Sequence, residues 1–290
     1  MNEFYESEKV EGGISRRIKG LFTGDTILND GKEMPDIDPK ELSGELMQTV
    51  RKLRDRFYDT SRGLVDYDRL KVSPEFEYYR ILANGLREFN PSQIVGRKAK
   101  LAFWTNLYNT IVVDAIVTLG VKESVKEVPE FFRKLKYAIG GHLFSADDIE
   151  HGILRGNVRP WFSPLRPFGA RDPRRTLIIT PVDPRIHFAL VCGSRSCAPI
   201  EYYAGERIYE QLEEAAQSFV NSSEVLVLPE EGKMLISEIF RWYEHDFGNK
   251  GGVVDFIFDY IVDENAQRFM RENATNVQIE YLHYDWNLNR

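Results

Sequence analysis

Residues 98–120, KAKLAFWTNLYNTIVVDAIVTLG, are apolar on nearly every side of a helix and end at a glycine. A helix that is hydrophobic all round is normally buried, and a glycine often follows the last helical residue. The stretch therefore predicts one central, buried helix around which the rest of the chain folds.

Two asparagines in this helix, Asn106 and Asn109, lie three residues apart and share a face. Leaving a buried amide without partners costs about 1–3 kcal/mol, so both side chains need hydrogen bonds. One interpretation is that they tie the helix to a neighbouring backbone. The other is that they line a polar cavity with His151 or His187 and orient a substrate or a catalytic side chain.

The rest of the sequence alternates between helical and strand patterns. Ser73 followed by Pro74 is typical of a helix start, because Ser caps the helix and Pro suits its first position. Strand patterns separated by helices of unequal length favour an α+β or mixed α/β class, with the central helix on a largely antiparallel or mixed sheet. We predict a single domain over residues 41–290. Residues 1–40, rich in Gly, Asp, Glu and Lys, are predicted to be an N-terminal extension, docked or mobile.

Composition narrows the possible functions. The 290 residues are 42% hydrophobic and carry a net charge of −7, so a sizeable core and no broad nucleic-acid surface are expected. No apolar run reaches the roughly 18–20 residues of a membrane span, and the acidic start lacks signal-peptide features, which predicts a cytoplasmic location. Phosphate-binding glycine motifs and the serine-hydrolase G-x-S-x-G motif are absent from the sequence, and no cofactor is expected.

The segment FSADDIEHGILRG, residues 144–156, predicts a short helix with a polar surface. Ser145 and Asp148 have the spacing of an N-terminal cap. The apolar positions of this helix should face the core, which turns Glu150, His151 and Arg155 toward other surfaces. These three form either a polar functional site or a structural ion-pair cluster. If His151 is catalytic, we expect it to be exposed and to contribute little to stability.

Residues 175–194, RTLIITPVDPRIHFALVCGS, predict two strands separated by a Pro-Asp-Pro turn. Alternation would place His187, Ala189 and Val191 on one face and Phe188, Leu190 and Cys192 on the other. After these strands, a helix is predicted to begin at Pro199, which places Cys197 just outside the helix N-terminus.

The chain's two cysteines, Cys192 and Cys197, therefore have different predicted environments. Cys192 ends an apolar strand and is expected to be buried packing. A helix N-terminus, with Arg195 nearby, would lower the pKa of the Cys197 thiol below about 8.5, so Cys197 is the better nucleophile. The cysteine spacing, with no second cysteine pair, does not favour zinc, and no metal site is predicted.

Five blocks of sequence resemble the family named domain of unknown function 547, over roughly residues 45–290. In chain order they are LAFWTNLYNTIVV, DDIEHGILR, RIHFALVCGSRSCAPI, ISEIFRWYEHDFG and YLHYDWNLN. The resemblance implies that the signature positions are Asn106, Asn109, Glu150, His151, Arg155, His187, Cys192, Ser194, Cys197, Trp242, Asp246, Asp285 and Trp286. In the family a proline commonly follows the second cysteine directly, whereas here Ala198 intervenes.

The leading hypothesis is a cysteine-dependent hydrolase or acyl transferase, with a fold of papain or transglutaminase type as one expectation. Cys197 would attack, with His151 or His187 as the base, and Glu150 or Asp285 would orient the imidazole. Asn106 or loop amides would stabilise the oxyanion.

Two other functions stay open. A non-catalytic module would bind a small molecule or peptide, or a protein partner, with an anion site built from Arg155, Arg195 and the Gly193 loop. Its binding residues would also include Asn109, Ser194 and Asp285. A thiol redox protein would instead need Cys192 and Cys197 close enough to bridge.

Overall fold

The computed structural model of the chain describes residues 24–273 and 277–290. In these ranges the α-helices are α1 (Leu42–Phe57), α2 (Tyr67–Lys71), α3 (Pro74–Gly85), α4 (Arg97–Leu119), α5 (Phe131–Lys134), α6 (Ile208–Val220), α7 (Glu238–Trp242), α8 (Asn249–Tyr260) and α9 (Glu264–Asn273). A π-helix spans Asp148–Leu154, and 3-10 helices span Leu86–Glu88, Pro91–Gln93, Val125–Glu127, Pro173–Leu177, Pro184–Phe188, Pro229–Glu231 and Glu244–Phe247. None of the helices in these ranges has the length and apolar character that crossing a bilayer requires.

The strands form small sheets. They are β1 (Thr26–Ile27), β2 (Tyr58–Asp59), β3 (Leu64–Val65), β4 (Leu135–Ile139), β5 (His142–Ser145), β6 (Val225–Leu228), β7 (Lys233–Ile236) and β8 (Gln278–Tyr281). One sheet has the order β1-β4-β5 and another β6-β7-β8, each with one parallel and one antiparallel pairing, and β2 pairs with β3. The predicted α+β class with mixed sheets is confirmed.

Helix α4 is the central buried helix that its sequence predicts. Its residues from Leu101 to Val117 are all buried, and Gly120 ends it in the left-handed conformation with a φ of 65°. The Ser73 hydroxyl accepts the Phe76 N–H at the start of α3, as predicted. The cap at Ser145 is confirmed as well, since the Asp148 N–H donates to its hydroxyl while the Asp148 carboxylate accepts from the Ser145 N–H.

The two strands predicted in residues 175–194 are not formed. That region contains the 3-10 helices Pro173–Leu177 and Pro184–Phe188. Each begins with a proline after an aspartate whose carboxylate accepts a backbone N–H, and this local capping outweighs the β propensity of the apolar residues. His187 therefore lies on a 3-10 helix, and the assignment of alternating residues to two strand faces is wrong.

The helix predicted from Pro199 is also wrong, because α6 begins only at Ile208. Side chains take the backbone groups that an earlier helix would use. The Asn106 amide pairs with the N–H and the carbonyl of Tyr203, and Gln211 does the same with the Ala204 N–H and the Tyr202 carbonyl. These bonds hold the chain before Ile208 in a non-helical path.

Two clusters of buried apolar side chains make up the core. One surrounds α4, and the other lies among α6, α7, α8, α9 and the β6-β7-β8 sheet. Cys192, Cys197 and Trp286 pack against both clusters, which places the cysteines at their boundary.

The described segments near both ends of the chain add strands to the small sheets. Residues 1–23 of the predicted extension 1–40 lie outside the described residues, while β1, also within 1–40, pairs with β4. At the C-terminus β8 ends at Tyr281, and the chain then leaves the sheet to run beside the cysteine segment.

Candidate functional site

A cavity of about 40 Å³ lies at the boundary between the two core clusters. That volume accepts a few water molecules or one small chemical group. Its titratable and nucleophilic lining includes Glu150, His151, His187, Cys192 and Cys197, and aromatic rings form most of the remaining wall: Tyr108, Phe132, Trp161, Phe162, Trp242, Tyr243, Tyr284 and Trp286. The π-helix, the 3-10 helix Pro184–Phe188 and the cysteine segment thus meet at one site.

The asparagines of α4 hold the cysteine segment at both ends. The Asn109 amide donates to the Ala189 carbonyl and accepts the Val191 N–H, just before Cys192. The Asn106 amide makes the equivalent pair with Tyr203, after the segment. Neither side chain lines the cavity, so the expectation that both do is wrong; backbone groups of the neighbouring segment supply the partners that these buried amides need.

The turn between the cysteines is fixed by a glycine and by the C-terminal residues. Gly193 has a φ of 80°, and a Cβ at that position would meet Ile116 of α4 at 2.6 Å. Asn289 donates its N–H to the Gly193 carbonyl, and Arg195 donates its N–H to the Asn287 carbonyl. This pairing brings Tyr284, upstream on the same C-terminal segment, next to both sulfur atoms.

The Tyr284 hydroxyl lies 3.1 Å from the Cys192 Sγ and 3.0 Å from the Cys197 Sγ. Ser194 donates its hydroxyl to the Tyr284 oxygen at 3.0 Å, and the Ser194 oxygen is 3.1 Å from the Cys192 Sγ. Ser194 gives its one proton to Tyr284, so the Tyr284 proton is available to a sulfur atom. With Cys192 protonated, Cys197 is the acceptor.

The two thiols therefore have opposite pKa shifts. Burial raises the pKa of Cys192 well above its usual value. Burial acts in the same sense on Cys197, but hydrogen bonds from Cys192 and then Tyr284 outweigh it and lower the pKa of Cys197 to about 6. The backbone N–H of Cys192 adds to this by donating to the Cys197 Sγ at 3.1 Å. The cause is thus a set of specific donors and not a helix N-terminus, because the first helix after Cys197 begins only at Ile208.

A buried ion pair lies beside His187. Arg155 donates its Nε and Nη2 to the two carboxylate oxygens of Asp246, and the His187 Nε2 is 2.9 Å from Asp246 Oδ2. Burial raises the pKa of Asp246, but hydrogen bonds from His187 and Arg155 reverse this and hold it well below its usual value. The carboxylate is therefore ionised and can only accept, so the His187 proton lies on Nε2 and the lone pair on Nδ1. Burial lowers the pKa of His187, while Asp246 opposes that shift.

His151 is held in the other tautomer. Its Nδ1 lies 2.8 Å from Arg155 Nη1, and a guanidinium can only donate, so Nδ1 accepts and Nε2 carries the proton. Burial, followed by the positive charge of Arg155, lowers the pKa of His151 well below its usual value. The side chain is 3% exposed, so the expectation of an exposed histidine is wrong.

Neither of the predicted acidic partners orients a histidine. Glu150 Oε1 is 3.5 Å from His151 Nδ1, but both atoms are acceptors, and Oε1 has no hydrogen-bond donor among the described residues. The Tyr243 hydroxyl hydrogen-bonds to the Glu150 carboxylate. Asp285 Oδ1 accepts the Asn287 N–H, and Asp285 does not line the cavity. Asp246 orients an imidazole instead.

The groups proposed for an anion site are not brought together. Arg155 is occupied by Asp246 and His151, Arg195 is exposed, and neither Arg195 nor Gly193 lines the cavity. Ser194 takes part in the chain of hydroxyls beside the thiols. In residues 24–273 and 277–290 no group of three or more His, Cys, Asp or Glu side chains could hold a metal ion.

Sequence reasoning missed Tyr284 and Tyr243 and gave Asp246 no role. Asp246 is one of the signature positions, but it lies 59 residues from His187 and 91 from Arg155. Tyr284 directly precedes the signature residues Asp285 and Trp286, and Tyr243 directly follows Trp242. The sequence signal that could have identified both tyrosines is therefore their position next to signature residues.

A family model matches the part of the chain that holds most of this site. The family described as "Protein of unknown function, DUF547" matches residues 92–220. The matched segment contributes Glu150, both histidines and both cysteines, while Asp246 and Tyr284 follow it. Neither the curated proteins nor the solved structures contain a match to this chain.

Proposed function

From the chemistry of the cavity we propose that the chain is a cysteine-dependent hydrolase or acyl transferase. The family that matches residues 92–220 is described only as of unknown function. Cys197 is the nucleophile, His187 is the general base, and Asp246 orients the His187 ring. His151 polarises the substrate carbonyl.

One observation carries this proposal: a thiol with a pKa of about 6 lines the same cavity as an imidazole paired with a buried carboxylate. At neutral pH such a thiol is largely the thiolate, which is the nucleophilic form. A nucleophile, a base and a residue that orients the base are the parts that covalent catalysis requires.

The two histidine tautomers assign different roles. His187 has a free lone pair on Nδ1, and Asp246 stabilises the imidazolium that forms when Nδ1 takes a proton. His151 has its lone pair occupied by Arg155 and resists protonation, so it acts as a neutral donor through Nε2–H. A neutral imidazole donor is suited to the oxyanion that develops on a carbonyl.

The reaction is balanced with these groups alone. The Cys197 thiol passes its proton to His187 Nδ1, and the resulting thiolate then attacks the carbonyl carbon. The tetrahedral oxyanion collapses to a thioester, and His187 returns the proton to the leaving group. Water or an amine then attacks the thioester, gives its proton to His187, and releases the acid or the transferred acyl product together with the Cys197 thiol.

Iodoacetamide labelling with mass spectrometry tests the nucleophile. We expect fast labelling of Cys197, with half of its maximal rate near pH 6, and slow labelling of Cys192 at neutral pH. Cys197→Ala should remove the fast labelling. Cys192→Ala should keep Cys197 as the labelled residue but move its half-maximal rate to higher pH, because a hydrogen-bond donor to the Cys197 sulfur is lost. Faster labelling of Cys192 would contradict the assignment.

An activated ester tests the acyl transfer itself. With p-nitrophenyl propionate we expect a burst of nitrophenolate stoichiometric with the protein, followed by slow turnover. His187→Ala should lower the turnover by about 10²–10⁴-fold, the usual contribution of a general base. A protein with reactive Cys197 and no burst would instead favour the non-catalytic binding module.

A specific observation also supports a second candidate, a thiol redox role. Both sulfurs contact the Tyr284 hydroxyl, and the two thiols hydrogen-bond to each other. On oxidation by a peroxide or a small disulfide, the two thiols would lose two protons and two electrons and form one S–S bond. Reversible formation of this bond at neutral pH would support the redox role, and its absence would leave the acyl-transfer chemistry.

A further inference from the structure

The charged side chains that line the cavity are acidic. They are Asp147 and Glu150, and no lysine or arginine of the described residues is among the lining. Arg155 lies next to the cavity wall, but Asp246 neutralises its charge. The cavity therefore favours a positively charged group over a negative one, which is the reverse of the anion site predicted from the sequence.

Glu150 identifies where such a group would bind. Its side chain is buried, with the residue 5% exposed, yet Oε1 has no donor among the described residues. Tyr243 hydrogen-bonds to this carboxylate, but the nearby His151 Nδ1 offers no proton because it accepts from Arg155. A buried acceptor without a donor is costly, and a bound donor would remove that cost.

The aromatic wall also suits a cation. Trp242, Tyr284 and Trp286 pack together with ring centroids 4.8–5.9 Å apart, and Trp161 and Phe162 pack edge to face beside His151. The faces of such rings attract ammonium groups, most strongly where water is excluded. A cavity of about 40 Å³ admits a primary ammonium on a short stem and excludes a large cation.

We propose that the substrate of this site carries a primary ammonium group close to the carbonyl that Cys197 attacks, and that Glu150 binds this ammonium. The substrate class is thus an acyl group with a free amine, as at the amino terminus of a peptide. The proposal rests on the cysteine-dependent function above for its carbonyl, whereas the ammonium site rests on Glu150 and the aromatic wall.

A pair of isosteres tests binding without any reaction. Glycinamide has an ammonium where propionamide has a methyl group, and Trp161, Trp242 and Trp286 give a fluorescence signal at the cavity. We expect the full-length protein and its Cys197→Ala variant to bind glycinamide at least about tenfold more tightly than propionamide at pH 7. Above about pH 8, the usual pKa of an α-amino group, the preference should fall as glycinamide loses its charge.

Two variants locate the site. Glu150→Gln should reduce the preference to below about threefold, because the amide keeps the shape and removes the charge. Asp114→Asn, which alters a buried carboxylate elsewhere, should keep the full preference. Equal or tighter binding of propionamide by the unaltered protein would overturn the proposal, and so would a preference that survives in Glu150→Gln.

A second pair of isosteres separates this proposal from the proposed function. The p-nitrophenyl esters of glycine and propionic acid differ by the same ammonium-for-methyl exchange, and we expect Cys197 to react at least tenfold faster with the glycyl ester. Acyl turnover without that preference would overturn the ammonium site and leave the cysteine chemistry standing. Glycinamide binding without any turnover would support the ammonium site and overturn the acyl-transfer function.

Discussion

Two buried aspartates, Asp114 and Asp246, are each 1% exposed at the side chain, yet their surroundings have opposite effects. Asp114, on α4, accepts hydroxyl hydrogen bonds from Tyr137 at 2.6 Å and Thr118 at 2.9 Å, and the nearest guanidinium, on Arg80, is 4.0 Å away. Burial raises its pKa. At Asp246, close ionic and imidazole partners reverse the effect of burial and lower the pKa.

The difference shows what separates a structural polar network from a site that can do chemistry. Tyr79 donates to Tyr137, which donates to Asp114, so that chain of hydroxyls ends inside the core. The charge of Asp246 is instead matched by Arg155, and its His187 partner lines a cavity. A fixed negative charge that holds an imidazole beside a cavity is useful for catalysis, whereas the Asp114 carboxyl accepts hydrogen bonds from hydroxyl groups inside the core.

The largest expected effect comes from removing the charge at each position. Asp246→Asn leaves the buried Arg155 guanidinium without its counter-ion, so we expect a loss of about 3–5 kcal/mol in the free energy of unfolding. Asp114→Asn keeps an oxygen for Tyr137, and we expect a change below about 1 kcal/mol. Urea unfolding of both variants measures the two values, and equal losses would show that the surroundings do not differ as described.

The pH dependence of stability should also differ in sign. The pKa of Asp246 is lowered by folding, so its contribution is present above its unfolded pKa of about 3.8 and is lost as the pH falls below it. The pKa of Asp114 is raised by folding, so its contribution is full below about 3.8 and is lost as the pH rises. Each contribution changes by up to about 1.4 kcal/mol per pH unit within its own range.

Unfolding free energies measured from pH 3 to pH 6 give these contributions by subtraction. The difference between the unaltered protein and Asp246→Asn should grow as the pH rises toward 5. The difference for Asp114→Asn should shrink as the pH rises from 4. Two slopes of the same sign would remove the contrast between the two carboxyl groups.

The sequence predicts the local parts of this molecule well and the long-range parts poorly. The end of α4 at Gly120 and the Ser73 cap depend on neighbours within a few residues, so the local pattern contains the cause. The pairing of His187 with Asp246 depends on packing between distant segments, and no spacing in the sequence encodes it. Even the low pKa of Cys197, expected from a nearby helix start, arises from Tyr284 and other donors that the fold brings to it.

Errors in the sequence-based prediction have the same origin. The apolar runs before Cys192 are typical of strands, but each follows a capped proline, and the chain forms 3-10 helices at Pro173 and Pro184 instead. The sequence allows the Asn106 amide to be a catalytic donor or to bind a neighbouring backbone, and only the position of Tyr203 decides between the two. A buried polar residue in a sequence thus predicts that partners exist without identifying them.

The smallest expected effect concerns the hydroxyl groups of α4 itself. Thr118→Val removes a donor to Asp114 Oδ1, and we expect a loss of about 0.5 kcal/mol, at the low end for a hydrogen bond, because Thr118 is solvent-exposed and water can replace it. Thr105→Val is the matched control on the same helix, since the Thr105 hydroxyl is buried and has no partner among the described residues. Removing an unpaired polar group from the core should leave stability unchanged or raise it. A loss at Thr105 that exceeds the loss at Thr118 in thermal and urea unfolding would mean that the Thr105 hydroxyl has a bound partner, a polar contact of α4 in addition to those of Asn106, Asn109 and Asp114.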